Sequence, residues 1–391
     1  MHPQMPPTYP HTRSSGRSRR PIQGGFPMTK LAITIDLLSM TQDRINTYLH
    51  DAKALAYSEV YLVMHVSLFH RGKADESLAK LCATIRQSGF RLHAMITEET
   101  FNEVGFNRND LKPLADLGFR ALRLESGFER HDYVVTLTQN TYGILIEDNG
   151  LALEDPIGRI KAIQAKGNLK QYSAVHPYYV HPDTGCSYDS CVNRTRLFKS
   201  TGIEVGVWVN TLASSSPAFP LAKGCPTIES QRHLSTNLSA SELVAMNLFD
   251  TLGFGVNPAS REEMEDLTRV VSRNVVEVPV YFQPELEPHL KEALLQMRFK
   301  ARSDSAAQIL RAVQFRQHAA IQPFNTINRD RLSLTIDNHL AGPYEGEMQI
   351  ALKNLPSTPY TNVIGQVDLT AGKLVDLLQA GKINFVLIEQ S

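Results

Sequence analysis

The chain has 391 residues, is 42% hydrophobic and 20% charged, and carries 40 basic against 40 acidic side chains. This is ordinary for a globular protein and too much for one small core, so one large and one smaller domain are expected. Residues 1–27 hold Arg13, Arg17, Arg19 and Arg20 and no acid, which leaves 36 basic against 40 acidic beyond them and argues against a nucleic-acid footprint.

Residues 1–28 are rich in Pro, Ser, Gly and Arg, show no apolar periodicity, and read as a disordered extension. They lack the continuous apolar stretch of a secretory signal; arginine and serine without acids also fit a transit peptide, and Met28 is an alternative start. From Leu31 short apolar runs alternate with amphipathic ones. Strands are expected at 31–35, 59–66, 91–96, 120–124, 143–146, 172–175, 204–209 and 253–256. Helices are expected between them, for example at 42–56, 75–88, 157–165 and 240–252. Strand then helix, repeated about eight times in about 240 residues, predicts an α/β protein with a (β/α)8 TIM barrel over 29–272. An open doubly wound sheet is disfavoured, because no Gly-x-Gly-x-x-Gly loop follows the first strand. After Arg273 the pattern becomes short strands between Gly, Pro and Asn turns, so 273–391 should form a β-rich second domain.

Cys82, Cys186, Cys191 and Cys225 form no Cys-x-x-Cys pair, so no zinc site and no cofactor are expected. The scattered cysteines read as free thiols in a reducing, cytoplasmic compartment, although a Cys186–Cys191 bridge stays open. No apolar run approaches the length of a membrane span. A homodimer is compatible with the sequence.

Catalysts of TIM barrels sit at the carboxyl ends of the strands. Those ends read Asp36, His65, Thr97 with Glu98, Arg123 with Glu125, Glu147 with Asp148, His176 and Asn210. An acid after a strand is often just the start of a helix. Arg123 and Glu125 differ: at i and i+2 they face the same space, as a functional pair or a structural ion pair. Asp36, Glu125 and Glu147 are the candidate catalytic carboxylates, since glycoside hydrolysis needs two such groups flanking one bond. The loop His176-Pro-Tyr-Tyr-Val-His-Pro-Asp-Thr-Gly185 can stack on a sugar through Tyr178 and Tyr179, or be a proline-stiffened structural loop. Thr227 and Arg232 follow strand seven, where barrels often bind phosphate, or they simply begin a helix.

A resemblance rests on residues of both halves. In the second domain it is carried by Leu334-Thr-Ile-Asp-Asn338, Tyr344-Glu-Gly-Glu-Met-Gln-Ile-Ala-Leu-Lys-Asn-Leu-Pro356 and Asn362-Val-Ile-Gly365, with Arg302, Asp304, Arg311 and Arg316. In the barrel it is carried by His65, Arg123, Gly127-Phe128, His176, Tyr179, Pro182, Thr184-Gly185, Pro226-Thr227, Glu229 and Arg232. From Met28 onward the chain resembles the bacterial family once labelled outer surface protein. Its characterised members are 6-phospho-N-acetylmuramidases, which cleave the phosphorylated disaccharide of N-acetylmuramic acid and N-acetylglucosamine during peptidoglycan recycling. The resemblance implies a TIM barrel followed by a cyclophilin-like β-barrel. It also implies a phosphosugar substrate contacted by His65, Arg123, His176, Tyr179, Thr227, Arg232, Arg316, Tyr344 and Glu347, to which the loop and strand-end readings add Tyr178 and Asn210. The chain departs from the family's pattern where Met95 and Glu125 stand for Asp, Ser173 for Glu, Glu147 for Asn and Asp36 for Tyr.

The expected function is therefore a glycosidase acting on a 6-phosphorylated amino-sugar disaccharide, with no metal. A sugar-phosphate lyase or isomerase and a non-catalytic phosphosugar-binding protein are the rivals.

Overall fold

The computed structural model describes residues 29–70, 73–215, 219–304, 306–312 and 320–390. The expected extension over 1–28 and Arg316 lie outside them.

Eight parallel strands close into a barrel: β1 (Lys30–Ile35), β2 (Glu59–Val63), β3 (Arg91–Ile96), β4 (Ala121–Leu124), β5 (Leu145–Asn149), β6 (Tyr172–Val175), β7 (Val205–Val209) and β8 (Thr251–Phe254). Helices follow the strands, and their starts are written in the sequence. Thr41, Asp75, Asp155, Ser187 and Ser235 each accept a backbone N–H of the first helical turn. Ser260 and Glu263 form a reciprocal capping box at the last barrel helix, Arg261–Arg273. The barrel closes where β8 meets β1. There a Cβ on Gly253 would lie 2.6 Å from that of Ala32, so only glycine permits the approach.

The barrel interior holds a column of rings packed with Ala32, Met95 and Val175. The His93 and Tyr61 rings stack at 4.2 Å, Tyr61 meets Trp208 edge-on at 5.1 Å, and Trp208 meets Tyr178 edge-on at 5.6 Å. Trp208 is fixed by donating Nε1–H to the His176 carbonyl at 2.6 Å. The column runs from the middle of β3 to the loop beyond β6. It therefore ties the depth of the mouth to the packing below it.

At its base His93 bridges two buried carboxylates, Glu59 at 2.6 Å through Nε2 and Glu147 at 2.8 Å through Nδ1. Burial alone would lower the imidazole's pKa. The charges and hydrogen bonds of Glu147 and Glu59 outweigh it and raise the value to about 9. His93 is therefore a cation at neutral pH. Its contribution to stability is full below the unfolded value of about 6.5 and is lost as pH rises through about 9. Melting temperature should fall between pH 7 and pH 9.5, and His93→Gln should flatten that slope; an unchanged slope would show that His93 is neutral in the fold.

The second domain is a curled seven-stranded sheet in the order β10-β15-β9-β14-β12-β13-β11. Its strands are β9 (Val275–Phe282), β10 (Phe299–Lys300), β11 (Ile309–Arg311), β12 (Ser333–Asp337), β13 (Met348–Ala351), β14 (Thr361–Val367) and β15 (Asn384–Glu389). It docks on the barrel through Glu277 of β9, which accepts from Arg269 at 2.9 Å and 3.0 Å and from Asn237 at 2.5 Å. The Lys373 ammonium also sits 3.8 Å from the Tyr188 ring centre. All four cysteines are free thiols. Among the described residues no helix is long and apolar enough to cross a membrane.

Candidate active site

The mouth is built from the residues just past the strand ends. Glu125 follows β4 directly, and its Oε1 lies 3.5 Å from Nη1 of the wholly buried Arg123. Burial pushes the Glu125 carboxyl up and Arg123 pulls it part of the way back, so it stays above the ordinary carboxylate value. A carboxyl raised in this way is better suited to general-acid work than an ordinary one. Beside it opens a cavity of about 590 Å3, whose lining includes Glu125, Phe128, His131, Asn149 and Tyr178. That volume accommodates a sugar unit or two.

Across the mouth Asp36 follows β1 and lies 2.9 Å from Nε2 of His65, which follows β2. Both residues keep some exposure, 14% and 32% for their side chains, so the pair faces the opening rather than the core. Asp36 Oδ1 also accepts the Leu38 N–H at 3.0 Å, which holds the carboxylate in place. Tyr178 lines the same cavity as Glu125. Burial raises its phenol well above the ordinary value, and the Glu125, Cys225 and Asp36 charges add to the rise while Arg123 opposes it. The phenol is thus a permanent hydrogen-bond donor on an aromatic face.

Gly255, just past β8, is what lets that ring lie down. A Cβ there would fall 2.8 Å from Tyr178 Cγ. Gly255→Ala should displace the ring, lower stability by about 1–3 kcal/mol and raise KM for a sugar substrate more than it lowers kcat. Equal KM in the variant would separate Tyr178 from substrate binding.

Arg123 is thus paired with Glu125, Asp36 with His65, and Glu125 shares a cavity wall with Tyr178, while other expected site residues are engaged elsewhere. Glu147 is the main correction. It lies inside β5, not past its end, and points into the barrel, where it holds His93 and receives the Tyr61 hydroxyl at 3.4 Å. His176 turns outward: Nε2 lies 2.7 Å from Thr195 Oγ1 of the following helix, and burial, with Arg123 and Arg194, depresses its pKa to about 3. It is a neutral packing group.

Asn210 gives its amide N–H groups to the carbonyls of Arg232 and Leu234. Thr227 bridges the Pro177 carbonyl and the Trp208 N–H. Arg232 directs all its nitrogens to Glu229 and to the carbonyls of Tyr179, His181 and Gly224, so it has no donor to offer a phosphate. Thr227 and Arg232 tie the loop after β7 to the loop after β6, and Asn210 braces the loop after β7 internally. Tyr179 is half-buried, with its phenol raised to about 12 by burial and by facing Cys186 and Cys191; it does not line the cavity.

In the second domain Glu347 is buried and grips Arg311 through two bonds, 2.6 Å and 2.7 Å, while Arg311 lies 5.8 Å from the exposed Tyr344 ring. Neither Glu347 nor Tyr344 lines the mouth cavity.

Two features escaped sequence reasoning. His93 could have been found, because Arg91 and His93 alternate on β3 while Glu59 stands on the neighbouring strand, charges that only an inward-facing set explains. Asn257, wholly buried with both side-chain polar atoms unpartnered, follows a strand read two residues late.

Comparison with known proteins bears on this geometry. Residues 32–269 match a family described as 6-phospho-N-acetylmuramidase, N-terminal, and residues 276–387 match its C-terminal counterpart. A B. cereus protein described as uncharacterized superposes with a TM-score of 0.80 at 24% identity, over 93% of this chain and 100% of that one. A conserved Enterococcus faecalis protein of unknown function superposes with a TM-score of 0.69 at 24% identity, over 93% and 97%. These two likenesses speak to the fold alone. No curated protein matches the sequence.

Proposed function

Because the chain belongs to the 6-phospho-N-acetylmuramidase family, we propose that it hydrolyses a glycoside of a phosphorylated amino sugar at the barrel mouth. The substrate we favour is the 6-phospho-N-acetylmuramic acid–N-acetylglucosamine disaccharide, released during cell-wall recycling in the cytoplasm. The observation that carries the reading is Glu125, a carboxyl that burial raises above its ordinary value, in the wall of a sugar-sized cavity beside Tyr178, with a second carboxylate, Asp36, at the end of another barrel strand.

Glu125 gives its proton to the glycosidic oxygen as the bond to the anomeric carbon breaks. Asp36, held by His65, either attacks that carbon or takes a proton from the attacking water. Tyr178 stacks on the ring and donates to it. A non-catalytic binding role competes with this reading on one observation: Met95 and Ser173 stand where the family carries carboxylates, and both are buried. The test is to incubate the protein with plain and 6-phosphorylated amino-sugar disaccharides. Cleavage of a phosphorylated one is expected; binding without cleavage of any would favour the non-catalytic role.

A further inference from the structure

Cys186 and Cys191 flank the start of the helix Tyr188–Lys199, which follows the loop after β6. Ser187 caps that helix: its Oγ accepts the Ser190 N–H at 3.2 Å. Cys186 is therefore the residue before the cap, and Cys191 is the fourth of the helix. Side chains at these two positions meet across the first turn, and apolar residues commonly take them. Here both are free thiols, and the Cys191 thiol is hydrogen-bonded to Cys186.

The two sulfurs are not equivalent. Cys186 is half-buried, whereas Cys82, Cys191 and Cys225 are buried. Contact with Cys186, then burial, holds the Cys191 thiol well above its ordinary pKa, so it stays protonated. An oxidant arriving from solvent thus meets Cys186 first, and Cys191 is the sulfur already beside it. A reachable thiol with a partner waiting behind it is the arrangement of a sensor and its resolving cysteine.

Cys186 also sits at a junction that leads to the mouth. Its thiol donates to the Thr227 carbonyl at 3.2 Å, and its N–H donates to the same carbonyl at 3.1 Å. Its own carbonyl accepts the Glu229 N–H at 3.0 Å. Thr227 Oγ1 in turn donates to the Pro177 carbonyl at 2.9 Å, next to Tyr178, and accepts the Trp208 N–H at 3.1 Å. Turning the Cys186 sulfur from Thr227 toward Cys191 removes one bond of this chain.

We propose that Cys186 and Cys191 form a peroxide-sensitive thiol–disulfide switch on the loop that carries Tyr178. The Cys186 sulfur attacks one oxygen of hydrogen peroxide and the O–O bond breaks. Cys186 becomes a sulfenic acid, and its thiol proton leaves with the other oxygen as water. The Cys191 sulfur then attacks the Cys186 sulfur. The S–S bond forms, the S–O bond breaks, and the hydroxyl leaves with the Cys191 proton as a second water. Both thiols are oxidised and the peroxide is fully reduced to water.

The test treats the full chain with hydrogen peroxide, blocks the remaining thiols with iodoacetamide under denaturing conditions, and maps the peptides by mass spectrometry. A Cys186–Cys191 bridge is expected, with Cys82 and Cys225 alkylated, and dithiothreitol should return all four thiols. In Cys191→Ala, dimedone should label Cys186 instead. Both cysteines remaining thiols in the wild type, Cys186 oxidised without a bridge, or a bridge that includes Cys82 or Cys225 overturns the proposal.

Trp208 is the one tryptophan of the chain, so its emission reports on the Thr227 contact without an added probe. Bridging should shift that emission, dithiothreitol should restore it, and Cys186→Ser should show no shift. A bridge that leaves the emission unchanged overturns the link to the mouth, and with it the switch. No readout uses a sugar, so the outcome is independent of the glycosidase reading.

Discussion

Glu125→Gln is expected to cut turnover of a phosphorylated amino-sugar glycoside by about 10²–10⁴ while the protein melts close to the wild type. The side chain sits at the edge of the mouth cavity, so amide replaces acid without opening a hole. What is lost is the proton: burial keeps the carboxyl above its ordinary value against the pull of Arg123, and an amide has no proton to give. The pH profile should move with it. The basic limb of kcat/KM, which reports loss of the acid's proton, should be present in the wild type and absent in the variant. Turnover within a few-fold of wild type would transfer the role to another group, with Asp36 the first to test.

Glu147→Ala should show the opposite signature. Its carboxylate is buried against His93, so removal leaves an imidazolium with one counter-ion in the barrel interior. Breaking a buried pair costs about 3–5 kcal/mol, and the lower end is expected because His93 can shed its proton. For a domain of this size that is a fall of roughly 6–12 °C in melting temperature. Activity per folded molecule should change much less than in Glu125→Gln. A stable, inactive Glu147→Ala would restore Glu147 to the chemistry.

The contrast between these two acids shows what could be read from the chain. Both follow apolar runs, and both were expected at strand ends. The run Gly143–Ile146 suggests a strand that stops before Glu147; the strand instead runs Leu145–Asn149, which places Glu147 in its middle. Two residues of shift turn a mouth residue into a core residue, because side chains alternate and their depth follows register. The Arg123–Glu125 pair survived because i and i+2 on one strand share a face whatever the exact boundary. Arg232 and Asn210 could not be judged from sequence. Their partners sit on loops far apart in the chain, and only the fold reveals that their donors are already used. The barrel itself was legible, since eight apolar runs separated by capped amphipathic helices admit few other arrangements.

The measurement that tests the account most directly is product analysis of 6-phospho-N-acetylmuramic acid–N-acetylglucosamine incubated with the protein in oxygen-18-enriched water. Hydrolysis at the barrel mouth predicts two sugars, with one solvent oxygen on the anomeric carbon of the phosphorylated unit, and almost none of this with Glu125→Gln. Recovery of intact or isomerised substrate, or of an unsaturated product without solvent oxygen, would contradict it.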